Sequence, residues 1–569
     1  MLTQLQFDVL RALDCHGAST QREVAQLVGI SLGSVNKAVR ELQGSELLED
    51  GLTVTTKGHS ELAPYKVKSA VILAAGIGRR LAPLSFERPK ALIKVRGEVL
   101  IERLIHQLNE VGVDNIYVVV GPMKESFYYL EDKLGVHLIE NPDYVFRNNH
   151  ASLFAAREHL DRSYVCSSDQ YYTKNVFNAY EYRSNCLVSK TQGDSIDAKL
   201  AFELGASDLI VGPSKVEGLA WRMNGPAFFD EAFSRDYLGI LSSEYELPET
   251  EGKLWENIYI EHADKLKMYA RKVDASLIHE FRYLSDLCAF DTDFMENVDS
   301  AILDNICRTL KCHRDDITDV SPLNSGLTNL SVLFSCKGER YVYRHPGAGT
   351  DEIINRESET YVLGVASKLG LDTSFVYEDP KGGWKISKFI PDCEDFDYSN
   401  DDMVKRGLKL ARQLHTSGAS TPWKFDFYTE GVRLSKLLKN EGWPLPKDFD
   451  LLAKSIGELI EPMRAGAGKP VLCHNDFYGP NLLVKGNDIC LIDWEYAAMG
   501  DYGCDFGNFV AQGSGYDVKR ALEVLPFYFG RPATDEEKLH SMICVAVVGW
   551  YWYVWALFKE CKGSPCGDW

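Results

Sequence analysis

One segment constrains the fold of this 569-residue chain more than any other. An apolar run at residues 471–473 leads into a polar loop that contains Asp476, and Asn481 follows five residues later. A second apolar run, 482–492, then ends at Asp493. Two carboxyl groups and an amide thus lie in or next to loops. Polar side chains of these types are typical of a catalytic site. We therefore predict that the C-terminal part of the chain is catalytic.

An aspartate followed five residues later by an asparagine is the spacing of the kinase catalytic loop. In that loop the aspartate accepts the proton of the attacking hydroxyl group, and the asparagine holds Mg²⁺. The sequence thus predicts Asp476 as the catalytic base. Asn481 and Asp493 are predicted to hold the Mg²⁺ that bridges the phosphates of ATP.

The residues before this loop fit a kinase-like order, with a small β-rich half preceding a larger helical half. A turn at residues 324–329 can cover phosphates. Arg344 lies on a predicted strand where protein kinases carry a lysine, and its planar fork still offers a cation. Glu357, on the predicted helix that follows, can pair with Arg344.

A second nucleotide-binding pattern begins where the apolar strand 70–73 runs into a glycine-rich loop. Gly76 and Gly78 have no Cβ, so backbone N–H groups of the loop can approach phosphate oxygens closely. Arg79 and Lys90 can neutralise a triphosphate and the charge that builds at its α-phosphorus. The Walker A and Rossmann spacings are both absent from this loop.

The pattern along the chain predicts a multidomain α/β and α+β protein. Strand-like runs at 116–120, 137–140 and 164–167 alternate with helical patterns, which argues for a parallel sheet. The predicted domains are residues 1–65, with three helices and a hairpin at 47–56, then 68–292 and 298–569.

Composition narrows the partners and the compartment. The formal net charge of −20 argues against nonspecific electrostatic binding to nucleic acid or to an anionic membrane. Fourteen cysteines are too sparse for a disulfide scaffold, and the N-terminus does not read as a leader, so we expect a cytoplasmic protein. The apolar stretch 542–558 is predicted to be a buried aromatic helix.

The glycine-rich segment is similar to the signature of nucleotidyltransferases that activate sugar phosphates and phosphocholine. Residues 141–142, 148–149, 169–171 and 255–257 resemble bacterial choline-phosphate cytidylyltransferases most closely, which implies a Rossmann-like fold, CTP, phosphocholine and Mg²⁺. The family often completes its metal site with an Asp or Glu pair near the end of this block. Here the run is 280–282, with Glu280 as the carboxylate and Arg282 able to meet a substrate phosphate instead. The ring that faces choline is left open among Trp221, Trp255, Tyr171 and Tyr172. The resemblance implies Leu73, Ala74, Ala75, Gly76, Gly78, Gly121, Asn141 and Ser152 for the nucleotide, Arg79 and Lys90 for catalysis, Asp169 and Glu280 for metal, and Trp255 and Glu256 for the substrate.

The C-terminal block resembles choline and ethanolamine kinases, through residues 344–347, 355–357, 494–496, 500–502, 505–509 and 550–555. A quaternary ammonium group has no N–H donor and is bound by aromatic faces with a nearby carboxylate. Trp552 and Trp555 lie three residues apart and share a helix face, and Glu495 can supply the countercharge. Core packing is the alternative for the two tryptophans. Aminoglycoside kinases share the catalytic loop, but their substrates require acidic pockets.

Residues 1–65 resemble a winged helix-turn-helix domain. Residues 1–66 hold six basic and eight acidic side chains, and Lys37 and Arg40 are the bases on the predicted recognition helix. DNA-binding winged helices usually carry a stronger basic stripe. DNA is therefore a weakly supported partner, and an interaction or regulatory module is favoured.

Together the two resemblances imply a bifunctional enzyme. A kinase would convert choline and ATP to phosphocholine, and a cytidylyltransferase would convert phosphocholine and CTP to CDP-choline and pyrophosphate. One alternative is a cytidylyltransferase for phosphoethanolamine or 2-aminoethylphosphonate with a companion amino-alcohol kinase. Another is a DNA-binding regulator whose enzyme-like domains sense metabolites. The sequence leaves the oligomeric state open.

Overall fold

The structure is a computed structural model that describes residues 2–192, 200–214, 219–323, 329–347, 354–562 and 566. The chain folds into two compact units, Met1–Ile302 and Leu303–Trp569. The first unit holds a helical N-terminal part and a large mixed sheet. The second unit holds an antiparallel sheet followed mainly by helices. The predicted class, multidomain α/β and α+β, is confirmed.

Capped helices form the N-terminal part of the first unit. Thr3 and Thr20 begin the first two helices with capping boxes, in which side chains satisfy the free N–H groups of the first turn. Ser31 caps the third helix in the same way through its hydroxyl group. The helices are α1 Gln4–His16, α2 Gln21–Val28, α3 Leu32–Gly44 and α4 Thr56–Leu62.

The predicted hairpin at residues 47–56 is present over residues 47–55, where the N–H of Thr55 donates to the carbonyl group of Leu47 over 3.1 Å and the N–H of Glu49 donates to that of Thr53 over 2.9 Å. Leu48 and Val54 form a single antiparallel bridge. The side chain of Thr55 accepts a hydrogen bond from the N–H of Gly58, and this cap starts α4. The two threonines at the end of the predicted strand therefore begin a helix, because capping prevails over β-propensity.

A nine-stranded sheet forms the centre of the first unit. Its strands, together with two short pairs, are β1 Ser69–Leu73, β2 Lys94–Val95, β3 Glu98–Val99, β4 Ile116–Val120, β5 His137–Glu140, β6 Ser163–Ser167, β7 Gln170–Tyr172, β8 Asn185–Gln192, β9 Ala201–Leu204, β10 Ile210–Pro213, β11 Leu219–Phe229, β12 Tyr269–Lys272 and β13 Ile278–Glu280. The helices are α5 Leu84–Glu87, α6 Leu100–Glu110, α7 Tyr129–Leu134, α8 Asn149–Ala155, α9 Glu231–Glu244, α10 Trp255–Glu261, α11 Leu284–Phe290 and α12 Phe294–Asn297.

The order of strands places several loops at one edge of the sheet. The order is β10-β9-β11-β6-β1-β4-β5, with β8 beside β11 and β12 beside β8. β1 is buried along its whole length and pairs in parallel with β4 and β6, while β4 pairs in parallel with β5. The carboxyl ends of these parallel strands meet at one edge, where α/β sheets bind their ligands.

The second unit begins with an antiparallel sheet in the order β14-β15-β16-β18-β17 and continues with helices and two short strand pairs. Its strands are β14 Ile317–Leu323, β15 Leu330–Cys336, β16 Glu339–His345, β17 Phe375–Glu378, β18 Lys385–Lys388, β19 Val471–Cys473, β20 Leu482–Lys485, β21 Asp488–Leu491 and β22 Ala498–Gly500. The helices that follow α12 are α13 Ala301–Leu310, α14 Arg356–Lys368, α15 Asp401–His415, α16 Phe427–Asn440, α17 Phe449–Glu458, α18 Ile460–Gly466, α19 Tyr502–Ala511, α20 Val518–Phe529 and α21 Asp535–Cys561.

Helix α21 is long and apolar enough to cross a membrane by length and composition, with a mean hydropathy of 1.6 over its most apolar window. Inside the second unit, 67% of that window is buried. The helix packs against α16 and α19, and its aromatic residues join their core. The prediction of a buried aromatic helix is confirmed.

Candidate active sites

A cavity of about 1080 Å³ opens at the carboxyl edge of the parallel strands in the first unit. The loops after β1, β5 and β6 line it, together with α8, α10 and β13. The structure thus brings together residues that the sequence separates widely. The predicted residues that line the cavity are Leu73, Ala75, Gly76, Gly78, Arg79, Lys90, Asn141, Ser152, Asp169, Trp255, Glu256 and Glu280.

The glycine-rich loop lies against the side chain of Lys90. Gly78 has a φ of 69°, in the left-handed region that favours glycine. A Cβ atom at Gly78 would lie 3.4 Å from the Cβ of Lys90, and one at Gly76 would lie 3.8 Å from its Cε. Glycine therefore lets the loop turn while Lys90 extends beside it into the cavity.

Lys90 forms an ion pair with Asp169. The hydroxyl group of Ser167 donates to the Oδ1 atom of Asp169 over 2.7 Å. Burial acts to raise the pKa of Asp169, but Lys90 and Ser167 prevail and lower it. Asp169 is thus an ionised carboxylate at the cavity wall, and such oxygen atoms are ligands that Mg²⁺ prefers.

Three more carboxyl groups, those of Glu251, Glu256 and Glu280, line the cavity with Asp169. Glu280 lies on β13 opposite Gln170 of β7, and Arg282 binds its carboxylate over 2.9 Å. Partial burial and the Asp169 carboxylate raise the pKa of Glu280. Burial, with smaller effects of Glu280 and Asp169, raises the pKa of Glu256 to about 7. Glu256, Glu280 and Asp169 thus interact electrostatically across the cavity, and carboxylate oxygens are the type of ligand that Mg²⁺ prefers.

Two residues predicted to contact the nucleotide support the loop from behind instead. Ala74 is buried, and its N–H donates to the carbonyl group of Val119 over 2.8 Å. A Cβ atom on Gly121 would lie 2.7 Å from the carbonyl oxygen of Ala75 and 3.0 Å from the ring of Tyr144. Glycine at this position therefore allows the loop to pack against the end of β4.

We expect Gly121→Ala to weaken binding of CTP by about 10-fold, because the added methyl group must displace the backbone of Ala75 at an overpacking cost of about 1–3 kcal/mol. Titration calorimetry with CTP measures the effect. Gly239→Ala is the matched control, since a Cβ at this position in α9 meets nothing within 4 Å. Equal affinities of Gly121→Ala and the wild type would contradict this role.

Of the four rings considered for choline, Trp255 lines the cavity. Its own ring is also buried against Phe229, with ring centroids 5.3 Å apart. Tyr171 and Tyr172 are buried, and Arg103 lies over the Tyr171 ring at 4.4 Å. Lys272 lies 5.2 Å from the ring of Trp221. Trp255 therefore remains the aromatic candidate of this site.

In the second unit, Asp505 of α19 holds the predicted catalytic loop. The N–H groups of His474 and Asn475 donate to its two carboxylate oxygens over 2.8 and 2.7 Å. Asn475 has a φ of 62°, a left-handed conformation that is strained for a residue other than glycine. The Nε2 atom of His415 lies 2.9 Å from the same carboxylate. Asp505 thereby fixes the backbone next to Asp476.

The structure brings Asp476 and Asn481 together, as the spacing predicts. The Oδ2 atom of Asp476 accepts from Nδ2 of Asn481 over 2.8 Å. Its Oδ1 atom accepts from Nε2 of Gln512 over 3.0 Å. Burial raises the pKa of Asp476 well above its usual value, against the effect of these hydrogen bonds. The carboxyl group is thus held at both oxygens in a buried position.

Arg344 is buried among acids. It forms an ion pair with Glu359, and its Nη1 atom lies 3.1 Å from Asp493 and 3.6 Å from Glu495. Its Nη2 atom lies 3.4 Å from Glu378. The predicted cation and the predicted metal ligand Asp493 therefore belong to one cluster.

The prediction that Glu357 pairs with Arg344 is wrong. Glu357 is exposed on α14, and Glu359 takes the predicted place. Two residues along a helix correspond to a rotation of about 200°, so Glu357 and Glu359 lie on opposite faces. Glu359 is fully buried and also contacts Lys385 over 3.4 Å.

Glu495 lies beside the Arg344 cluster. The Nδ2 atom of Asn329 donates to its Oε2 atom over 2.9 Å. Burial and the Asp493 carboxylate raise the pKa of Glu495 to about 7. Its role as countercharge for choline stays a prediction, since its contacts in the structure are with Arg344 and Asn329. The rest of the predicted phosphate-covering turn, 324–328, lies outside the described residues.

Trp552 and Trp555 belong to a buried aromatic cluster on α21. Their ring centroids are 5.4 Å apart, and the ring of Tyr496 meets Trp552 edge-on at 5.6 Å. The Nε1–H of Trp552 donates to the Oδ1 atom of Asn508 over 2.7 Å. The two rings predicted to bind a quaternary ammonium group are thus adjacent, and Trp552 contacts Tyr496, the residue that follows Glu495.

Sequence reasoning missed a polar stripe on α19. Asp505, Asn508 and Gln512 are buried and recur at helical spacing along an otherwise apolar helix and its C-cap. Buried polar side chains are costly unless they are hydrogen-bonded. Their spacing among apolar residues is a signal that could have identified them as parts of the site.

Three family models match the chain. Residues 2–49 match a winged helix-turn-helix DNA-binding domain, residues 70–193 match the MobA-like NTP transferase domain, and residues 319–537 match the phosphotransferase enzyme family. From the N-terminus, the three matches fall in turn on the N-terminal helices, on the first predicted catalytic block and on the second.

Each of the individual relatives is similar to one of the two catalytic parts of this chain. Choline-phosphate cytidylyltransferase of Streptococcus pneumoniae is 32% identical over 218 residues, 38% of this chain and 94% of that protein. The 2-aminoethylphosphonate cytidylyltransferase of Lancefieldella rimae is 32% identical over 231 residues, 40% of this chain and 93% of that protein. The crystal structure of choline kinase LicA from Streptococcus pneumoniae matches at 23% identity and a TM-score of 0.41, covering 47% of this chain and 92% of that one.

Proposed function

Because the chain belongs to the cytidylyltransferase family of MobA-like NTP transferases and also carries a phosphotransferase-family domain, we propose that it performs two consecutive reactions. The second unit phosphorylates choline with ATP. The first unit transfers CMP from CTP to the phosphocholine and releases pyrophosphate. The observation that supports this proposal is the presence of two separate clusters of candidate catalytic residues in one chain. In the proposal, the product of the second unit is the substrate of the first unit.

In the first reaction the hydroxyl oxygen of choline attacks the γ-phosphorus of ATP, and the bond to the β-phosphate oxygen breaks to release ADP. Asp476 accepts the hydroxyl proton. Arg344 offers its positive charge to the phosphates. Asn481 and Asp493 would hold Mg²⁺, which neutralises phosphate charge when bound.

In the second reaction a phosphate oxygen of phosphocholine attacks the α-phosphorus of CTP, and pyrophosphate leaves. Lys90 and Arg79 stabilise the negative charge that develops on the phosphates. Asp169 and Glu280 would hold Mg²⁺ in this cavity. Trp255 and Glu256 are proposed to contact the choline head group.

The kinase domain favours an alcohol over a phosphonate as the starting substrate. The two cytidylyltransferase relatives have equal identity to this chain, so identity alone does not separate their substrates. 2-Aminoethylphosphonate already carries its phosphorus in a C–P bond and needs no phosphorylation. A phosphotransferase domain in the same chain therefore supports phosphocholine or phosphoethanolamine.

The aromatic cluster favours choline over ethanolamine in the kinase. We expect Trp552→Ala to raise KM for choline, because the loss of the cation–π contact weakens binding by about 1–2 kcal/mol. The effect on ethanolamine should be smaller, because aromatic faces favour the methylated cation. Steady-state kinetics with both alcohols measure the difference. Trp423→Ala, which removes a half-buried tryptophan packed on Tyr361, is the control. A wild-type preference for ethanolamine would contradict the proposed binding of the cation by aromatic rings and would favour core packing as the role of Trp552.

For the N-terminal helices we propose an interaction or regulatory role. Lys37 and Arg40 are exposed on α3, but Lys37 pairs with Glu41 at 4.0 Å. The helices are fixed to the catalytic part of the same unit. The hydroxyl group of Tyr182 donates to the carbonyl group of Leu2 over 3.0 Å, and its ring stacks on Tyr65.

Separate assays of the two half-reactions test the proposed function. CTP is offered with phosphocholine, phosphoethanolamine or 2-aminoethylphosphonate, and ATP is offered with choline or ethanolamine, all with Mg²⁺. We expect phosphocholine and choline to give the highest kcat/KM. A higher kcat/KM for 2-aminoethylphosphonate would contradict the proposed order of reactions.

The free thiols of all fourteen cysteines support a reducing compartment such as the cytoplasm, where ATP and CTP are available.

A further inference from the structure

A chain of hydrogen bonds joins the base of the second unit to the aromatic cluster. The Nε2 atom of Gln512 donates to Oδ1 of Asp476 over 3.0 Å and to Oδ1 of Asn508 over 2.9 Å. The indole Nε1–H of Trp552 donates to the same oxygen of Asn508 over 2.7 Å. The connection therefore runs from a carboxylate through two amides to an indole ring.

The number of donors and acceptors fixes both amides. The NH₂ group of Gln512 has two hydrogens, and the chain uses both. The carbonyl oxygen of Asn508 has two lone pairs, which receive Gln512 and Trp552, while its NH₂ group donates to the carbonyl group of Cys504 over 3.0 Å. A flip of either amide would turn oxygen toward oxygen in a buried site, so each has one favourable orientation.

The chain fixes the two groups at its ends. Asp476 is held at one oxygen by Gln512 and at the other by Asn481, so the plane of its carboxylate is set. Trp552 has one N–H group, and its bond to Asn508 sets the plane of the indole against Tyr496. All of these polar side chains are buried, so water does not compete strongly for the bonds.

We propose that Asn508 and Gln512 are positioning residues for phosphoryl transfer. They keep the base and the ring that receives the cationic head of the substrate in one fixed relation, without contacting the substrate. In choline the hydroxyl and ammonium groups are two carbons apart, so the ring and the base must match that short span. An error of 1 Å in such an arrangement costs about 10²-fold in rate. The inference rests on the proposed kinase activity of the second unit.

Two single variants and their combination test the inference. Gln512→Leu removes both donors, and we expect kcat for choline to fall by about 10- to 100-fold while KM for ATP stays within about 2-fold. Trp552→Phe keeps an aromatic face and removes the N–H, so kcat should fall by a smaller factor. Gln512 and Trp552 are joined through Asn508, and either change breaks the same chain. The double variant should therefore be little slower than Gln512→Leu.

Gln413→Leu is the matched control, because Gln413 donates to the carbonyl group of Leu369 over 3.0 Å on the surface of the same unit. It should behave as the wild type. Gln512→Met replaces Gln512→Leu if the latter does not fold, and thermal unfolding reports folding.

The outcomes separate the inference from the proposed function. If the wild type phosphorylates no amino alcohol, the proposed function fails and the inference falls with it. If the wild type is active, an unchanged kcat in Gln512→Leu overturns the inference alone. Factors that multiply in the double variant would also overturn it, since they would show two independent roles. A parallel loss of ATP affinity would point to a merely structural role and would contradict positioning.

Discussion

Asp169→Asn is expected to reduce CDP-choline formation from phosphocholine and CTP by about 10²- to 10³-fold. The carboxylate pairs with Lys90 and is one of four acids at the cavity wall. An asparagine of the same size carries no charge, so it neither neutralises Lys90 nor offers an anionic ligand to Mg²⁺. The measurement is the release of pyrophosphate with supplied phosphocholine.

Asp208→Asn is the matched control, because it removes an exposed carboxylate that pairs with Lys272 over 2.7 Å in the same unit. Surface ion pairs of this kind contribute about 0–1 kcal/mol, so the control should keep full activity. Choline phosphorylation should be unchanged in both variants. Normal pyrophosphate release by Asp169→Asn would remove this residue from the catalytic site.

Asp476→Asn is expected to lower phosphorylation of choline by at least about 10²-fold, because the amide cannot accept the hydroxyl proton as oxygen attacks ATP. Cytidylyl transfer from supplied phosphocholine should persist in the same preparation. The measurement is ADP release that depends on choline.

Asp402→Asn serves as the control in the second unit, since Asp402 is exposed and pairs with Arg406 over 3.0 Å. It should show wild-type rates. A wild-type rate of ADP release in Asp476→Asn would mean that another group accepts the proton, and the assignment of the loop would be lost.

Both sites use the same electrostatic arrangement. Lys90 pairs with Asp169 in the first unit, and Arg344 pairs with Asp493 in the second. In each pair the cation is the group proposed for phosphates, and the carboxylate is the group proposed for metal. Asp169 is buried, so removal of Lys90 would leave its charge without a partner at a high cost, whereas Asp493 is one-third exposed and its charge is partly solvated.

Local patterns predicted the frame of the first unit well. The strand-like runs at 116–120 and 137–140 coincide with β4 and β5, and the run at 164–167 lies within β6. β4 and β6 are largely buried and mostly apolar, so their sequences indicate strands directly, whereas β5 is an edge strand with exposed ends. The hairpin predicted at 47–56 ends at Thr55, because this threonine caps α4 and Thr56 is the first residue of that helix.

The inward face of α14 shows a signal that the sequence did contain. Glu359 precedes Val362, Leu363 and Ala366 by three, four and seven residues, the spacing of one helix face. All of these residues are buried. The phase of the helix thus selects Glu359 over Glu357 as the partner of Arg344.

Other parts of the sites depend on contacts distant in sequence. Gln512 reaches Asp476 across 36 residues, and Trp552 reaches Asn508 across 44. Glycine is required at position 121 because a Cβ atom there would clash with the carbonyl oxygen of Ala75, which lies in the loop after β1. Spacing along the chain does not encode such distances, so these roles emerge from the packing.

Transfer of labelled phosphate tests the central claim most directly. The purified protein is incubated with choline, CTP, Mg²⁺ and ATP labelled at the γ-phosphate, and the products are separated and identified by mass. We expect the label to appear first in phosphocholine and then in CDP-choline, in the phosphate next to choline. Label that stays in ATP, or that stops at phosphocholine with CTP present, would contradict the proposal that one chain performs both reactions.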